Sequence, residues 1–250
     1  MDLIIEKLLS FVMVLTRISA FFLVAPIFSW KTIPVRTKAA MTILLSIFFA
    51  TIMPAPISTK NAPILKVILL LSNEAIYGLA LGLIVVLIFT AVSLGGRIIE
   101  RQMGLAMAQT LNPLTGEQGQ PLGVLLEILF ILMFLSANGH HLFLLIISKS
   151  YQAFPAGTMP TIATLTLGVT KASSMLLIAG LRIAAPIMAA FLILMVALAV
   201  LARIAPEMNI LFISMSMRVA LGFIMVILFL PLITDFIGEF TDWMGKLLPL

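Results

Sequence analysis

Residues 64–96 read ILKVILLLSNEAIYGLALGLIVVLIFTAVSLGG, an apolar run of 33 residues whose charged side chains are Lys66 and Glu74 alone. As one helix it would be ~50 Å long, against a bilayer hydrocarbon core of ~30 Å. Such a helix must tilt, break, or leave the lipid by packing against protein. Beside Glu74, Gly78 and Gly82 fall at i+4 and i+8, so a strip of small residues continues from the carboxylate. A strip like this lets another helix approach closely, and the ionisable group on the same face makes it a packing surface.

The composition agrees with a chain that lives in lipid. Of its 250 residues 62% are hydrophobic and 10% charged, and the mean hydropathy is +1.23. This describes an integral membrane protein. Runs without Asp, Glu, Lys or Arg cover residues 18–30, 39–59, 75–96, 128–148, 183–202 and 219–234, which predicts about six apolar segments. The stretch 172–202 is as overlong as 64–96. The N-terminal MDLIIEKLLS has no small-residue cleavage site after it, so the first segment is expected to stay. The absence of cysteine excludes disulfides, iron–sulfur clusters and thiolate zinc sites. In a six-span arrangement, Lys7, Lys60, Lys66, Lys149, Lys171 and Lys246 fall on one side and Lys31, Arg36, Lys38, Arg97, Arg101 and Arg203 on the other. The balance leaves orientation open, so either partners set the topology or six spans is the wrong count.

Proline and glycine punctuate the connections. Residues 25–38, 53–63 and 154–160 read as loops. The last connection, RIAPEMN at 203–209, is short, so residues 183–234 read as a tight helical hairpin turning at Arg203, Pro206 and Glu207. Arg17, Glu74, Arg182 and Arg218 each lie about ten residues into an apolar segment. Each would cost ~2.5 to 3.5 kcal/mol at a helix centre and therefore faces protein or water. Buried inter-helix pairing and a charge relay are both open readings. His140 and His141 are adjacent, point about 100° apart on a helix, and have no HExxH around them, which argues against a metal site. No phosphate loop and no serine-nucleophile elbow is present, so nucleotide hydrolysis and serine chemistry have no motif.

Between two apolar runs lies GGRIIERQMGLAMAQTLNPLTGEQGQPLG, residues 95–123. From 102 to 122 it has no Lys or Arg. Met103 and Met107 supply soft, polarizable surface, and Gly104, Gly116 and Gly119 supply backbone freedom. An ordinary solvated loop and a deformable seal both fit this composition.

Arg17, Pro26, Pro34 and Arg36, then Glu74 with Gly78 and Gly82, are followed by GGRIIERQMGLAMAQTLNP, NGHH, SYQAFPAG, RIAAP and RIAPEMNILF. In that order, and over nearly the whole chain, these resemble the FliR family of export-gate proteins in flagellar and type III secretion machines. Two departures stand out: Asn112-Pro113 where the family usually has Asp-Pro, and Glu207 where it commonly has Gln. The resemblance implies an all-α membrane protein of long broken helices and helical hairpins that assemble into a helical ring with partner subunits. It further implies a FliP-like part at 1–160, including a pore loop at 104–121, and a FliQ-like hairpin at 161–250.

By the same resemblance the chain is a structural, non-enzymatic, pore-forming subunit of the export gate. It conducts unfolded secreted proteins across the bacterial inner membrane in the basal body of a flagellum or injectisome. Its partners would be FliP-type and FliQ-type subunits and other membrane proteins of the export apparatus, without cofactors or nucleic acid. Met103, Gly104, Met107, Asn112, Pro113, Gly116 and Gly119 would form the plug. Arg17, Glu74, Gly78, Gly82, Arg182 and Arg218 would serve helix packing and buried charge. The NPLTGEQ loop and the lack of a soluble tail incline the reading to the flagellar system. The alternative is a small-solute or proton-coupled transporter with the four deep charges at a midplane site; an intramembrane enzyme would have only His140, His141 and Glu127 to work with.

Overall fold

The computed structural model describes residues 2–29, 33–52, 63–105, 121–158, 162–207 and 209–247. Among these residues there is no strand. The helices are α1 (Asp2–Val24), α2 (Pro26–Ser29), α3 (Val35–Ile52), α4 (Ile64–Met103), α5 (Pro121–Ser136), α6 (His140–Ala153), α7 (Ile162–Ile204) and α8 (Ile210–Leu247). Among the described residues five helices, α1, α3, α4, α7 and α8, are long and apolar enough to cross a membrane, and a sixth span results if the bent pair α5 and α6 is taken as one. The protein is an all-α membrane protein.

The overlong runs form single helices. α4 has 40 residues and α7 has 43, about 60 and 65 Å at the α-helical rise. α7 therefore begins well before residue 183, where the sequence alone started its hairpin. Pro186 and Pro231 sit inside α7 and α8 without ending either helix. The expected apolar segment 128–148 is two helices instead, bent by 76° between Ser136 and His140. The cause is local: Asn138 adopts φ 59°, a left-handed conformation that asparagine tolerates better than most residues, and this stops α5. α7 ends with the Ala205 N–H still donating to the Leu201 carbonyl. α8 opens at Asn209, whose carbonyl accepts from Phe212 and Ile213.

The helices group into two compact units. The first comprises Met1–Ile88, Ala137–Ser174 and Thr241–Leu250, the second Phe89–Ser136 and Met175–Phe240. The first holds α1, α2, α3, the start of α4 and α6. Its core is built on Met13, Val14, Ile18, Phe21, Tyr77 and Tyr151, all fully buried or nearly so. Phe22 meets Phe28 edge-on at 4.3 Å, and Phe143 lies 6.1 to 6.2 Å from Phe21 and Phe28. The second unit holds the end of α4, α5, most of α7 and most of α8. There Phe89 stands edge-on to Phe130 and Phe134 at 5.1 and 5.2 Å. Such geometry adds about 0.5 to 1.5 kcal/mol per pair beyond area burial.

Candidate functional site

The charged centre of the first unit is assembled from three helices. Arg17 on α1 and Glu74 on α4 are 2% and 1% exposed. Arg17 Nε donates to Glu74 Oε2 at 2.6 Å and Nη2 to Oε1 at 3.1 Å, a two-pronged pair. Nη1 turns to the end of α6 and donates to the Phe154 carbonyl at 3.0 Å, the Ser150 carbonyl at 3.3 Å and Ser150 Oγ at 3.4 Å. The Ser150 carbonyl also accepts from the Phe154 N–H, the Phe154 carbonyl lies just past the end of α6, and the negative end of the helix dipole favours a cation there. The guanidinium also lies over the rings of Tyr151, at 4.2 Å, and Tyr77, at 4.7 Å. Tyr151 in turn donates its hydroxyl to the Val14 carbonyl at 3.3 Å.

Glu74 is satisfied from a further direction. The Gly157 N–H donates to its Oε1 at 2.8 Å, and the neighbouring Asn73 Nδ2 donates to the Thr158 carbonyl at 3.2 Å. Gly157 has φ 86°, a conformation glycine adopts without cost and other residues resist. The turn after α6 is thereby stitched to α4. A buried pair is stable when its remaining donors and acceptors are filled in this way.

Gly78 and Gly82 extend the same contact. A Cβ on Gly78 would collide with the Arg17 carbonyl oxygen and lie 2.9 Å from Ala20 Cβ; on Gly82 it would lie 3.0 Å from the Phe21 carbonyl and Val24 Cβ. Later contacts on α4 match later contacts on α1, so the two helices run parallel here with their backbones nearly touching.

Further along, in the second unit, α4 carries another pair of close approaches. A Cβ on Gly96 would stand 2.8 Å from Gly123 Cα of α5, and one on Gly95 would stand 3.2 Å from the Gly180 carbonyl of α7. α4 ends at Met103, which is fully buried. Its side chain fills the place of a side chain at Gly222 on α8, with Cγ and Sδ 2.5 and 2.6 Å from where a Cβ would be. Gly104 comes next, with φ 78° and nothing within 4 Å of its Cβ position. The chain leaves α4 through an anchored methionine and an unobstructed glycine.

Of the other residues singled out from sequence, Arg182 is exposed on α7 and Arg218 half-buried on α8 in the chain by itself. The hydrogen bonds that surround Arg17 and Glu74 draw instead on α1, α4, α6 and the turn after α6. Arg203, Pro206 and Glu207 are exposed at the turn between α7 and α8. Met107, Asn112, Pro113, Gly116 and Gly119 lie outside the described residues. His140 and His141 are exposed with their rings 4.3 Å apart. Among the described residues no three His, Cys, Asp or Glu side chains form a metal-binding group.

Sequence reasoning missed the partners of Arg17 and Glu74, namely Ser150, Phe154 and Gly157, although they lie in the SYQAFPAG stretch. It also missed Gly95, Gly96, Gly123, Gly180 and Gly222, and the buried Glu100. Spacings such as Ala91 to Gly95 and Gly180 to Ala184 offered a small-xxx-small signal for the α4–α7 contact. The Met103–Gly222 contact had none.

The family described as bacterial export proteins, family 1, matches residues 8–244. The flagellar biosynthetic protein FliR of Bacillus subtilis (strain 168) is 30% identical over 91% of this chain and 88% of its own length. That of Pectobacterium carotovorum subsp. carotovorum is 32% identical over 88% of this chain and 84% of its own. The Yop proteins translocation protein T of Yersinia pestis is 30% identical over 76% of this chain and 74% of its own.

Proposed function

The chain belongs to the FliR family of bacterial export proteins, and on that premise we propose that it is a structural, pore-forming subunit of the flagellar protein-export gate. It conducts unfolded export substrates across the inner membrane. It does so in a helical ring with FliP-type and FliQ-type subunits, residues 1–160 playing the FliP-like part and 161–250 the FliQ-like hairpin. It performs no chemistry of its own and draws energy from the rest of the apparatus.

The observation that carries this reading is the exit of the chain from α4. Met103 is locked onto α8, and Gly104 opens directly into the stretch 106–120, which has no Lys or Arg. A conduit for many unfolded sequences needs a closure that blocks ions yet yields to any side chain. A segment bearing glycine and methionine, held at a rigid stem, meets that need better than a fixed filter. The transporter alternative is disfavoured because Arg17 and Glu74 are buried and turned onto each other and onto backbone, which fills the groups a solute would engage.

Co-expression with FliP-type and FliQ-type subunits tests the assembly. The chain is expected to co-purify with them as one large complex and to be degraded or aggregate when expressed alone. A monodisperse isolated chain, as stable without partners as with them, contradicts the proposal.

A further inference from the structure

The deep charges are not handled alike. Arg17 and Glu74 satisfy each other, and Arg182 has an interaction within the chain. Arg218, among the described residues, has neither a hydrogen bond nor an ion pair. It is the ninth residue of α8, about 12 Å along the axis from the helix start. The span around it, Phe212–Pro231, is 11% buried within the chain. Gly222 and Val226, at i+4 and i+8, are buried in the second unit, while Met215, Met217, Phe223 and Ile224 are exposed. Arg218 is therefore half-buried, one turn before the buried Gly222 and among exposed apolar positions of α8.

An arginine there cannot escape by losing its proton, because the guanidinium stays charged at any physiological pH. Among the described residues no anion is paired with it, and its planar fork fits a carboxylate with two parallel hydrogen bonds. We propose that Arg218 is the docking residue of α8, forming an ion pair with an Asp or Glu on a membrane helix of a partner subunit. The proposal rests on the reading that the chain assembles with other membrane subunits, and it adds the chemistry of one contact.

The test uses cells that carry the whole export apparatus, with Arg218→Glu, Arg218→Leu and Arg218→Lys compared with the unaltered chain. Recovery of assembled complex and substrate export are the readouts. Arg218→Glu is expected to reduce recovered complex by roughly tenfold or more, because two carboxylates then meet in a buried site. Arg218→Leu, which leaves an apolar helix able to fold, also loses complex, and Arg218→Lys retains most of it. Second-site suppressors of Arg218→Glu should replace an acid with Lys or Arg in a partner's membrane helix. Normal assembly and export by Arg218→Leu, as a lipid- or water-facing arginine would give, overturns the proposal while leaving the assembly reading intact. So do suppressors confined to this chain. Failure of the unaltered chain to co-purify with any membrane subunit removes both readings.

Discussion

At the scale of single residues, Arg17 holds three elements at once. It neutralises Glu74 of α4, caps the end of α6 through the carbonyls of Ser150 and Phe154, and rests on two tyrosine rings. Removing the carboxylate alone strands a buried cation, so Glu74→Ala is expected to destabilise the protein by about 3 to 5 kcal/mol. Glu74→Gln should be milder, because the amide still accepts from Arg17. In the double variant Arg17→Met with Glu74→Met, part of the loss should return. The return should stay incomplete, since the Phe154 carbonyl and the Gly157 N–H lose their partners too. Thermal unfolding of the purified gate complex across this double-mutant cycle measures the coupling; simple additivity of the two single changes would mean the pair does not act as a unit. Depth and apolar context made Arg17 and Glu74 visible in the sequence as costly charges. Their partnership was not visible, because 57 positions separate them and any of the deep charges offered itself as a mate.

At the scale of elements, α4 is the spine of the packing, and its glycines mark where other helices touch its backbone. Gly78 is the tightest, since its Cβ would overlap the Arg17 carbonyl; Gly82 is tight to a few tenths of an ångström; Gly238 on α8 has nothing within 4 Å. Substitution by alanine should therefore be harmful in the order Gly78, Gly82, Gly238. The first should cost about 1 to 3 kcal/mol by overpacking and the last almost nothing. Gly78→Leu should abolish assembly outright, which recovery of complex from detergent extracts would show. Equal tolerance at Gly78 and Gly238 would place the α1–α4 contact elsewhere.

The strip of Glu74, Gly78 and Gly82 was readable because its spacing keeps one face of one helix. Gly95 and Gly96 were not readable as packing residues, because neighbours on a helix point about 100° apart and serve two different helices, α7 and α5. The bend at Asn138 was hidden for a related reason: residues 128–148 carry no Asp, Glu, Lys or Arg, so a search for charge-free runs passes over Asn138 and Gly139, and hydropathy does not register a left-handed backbone. The seat of Met103 depends on Gly222, a residue far away in the chain. Filling that seat with Gly222→Val should displace Met103, loosen the end of α4 and leave the remaining helices formed. The expected outcome is a complex that assembles but conducts ions when idle, and an unchanged resting conductance would mean that the seat does not position the segment beyond α4.

At the scale of the whole molecule, the spans are unevenly covered. α4 is 56% buried over its apolar window, α7 28%, α3 17% and the span of α8 11%. A lone chain leaves most of α3, α7 and α8 for lipid or for other subunits, and this is the physical basis for expecting poor stability without partners. Six apolar segments, overlong helices and an undecided charge balance already pointed to such a chain, and family membership supplies the apparatus. What no sequence pattern could supply is the path of α4 to its end, where a buried methionine and an open glycine lead into residues 106–120.

The measurement that bears most directly on the proposed gate is membrane conductance, or uptake of a small impermeant solute, in cells expressing the gate without export substrates. Chains lacking part of residues 105–121 are compared with intact chains at equal abundance of assembled complex. Because the glycine contacts and the Arg17–Glu74 centre are untouched, the shortened chain should assemble, and its closed gate should leak. A shortened, fully assembled complex that conducts no more than the intact one would contradict the proposal that this stretch seals the pore.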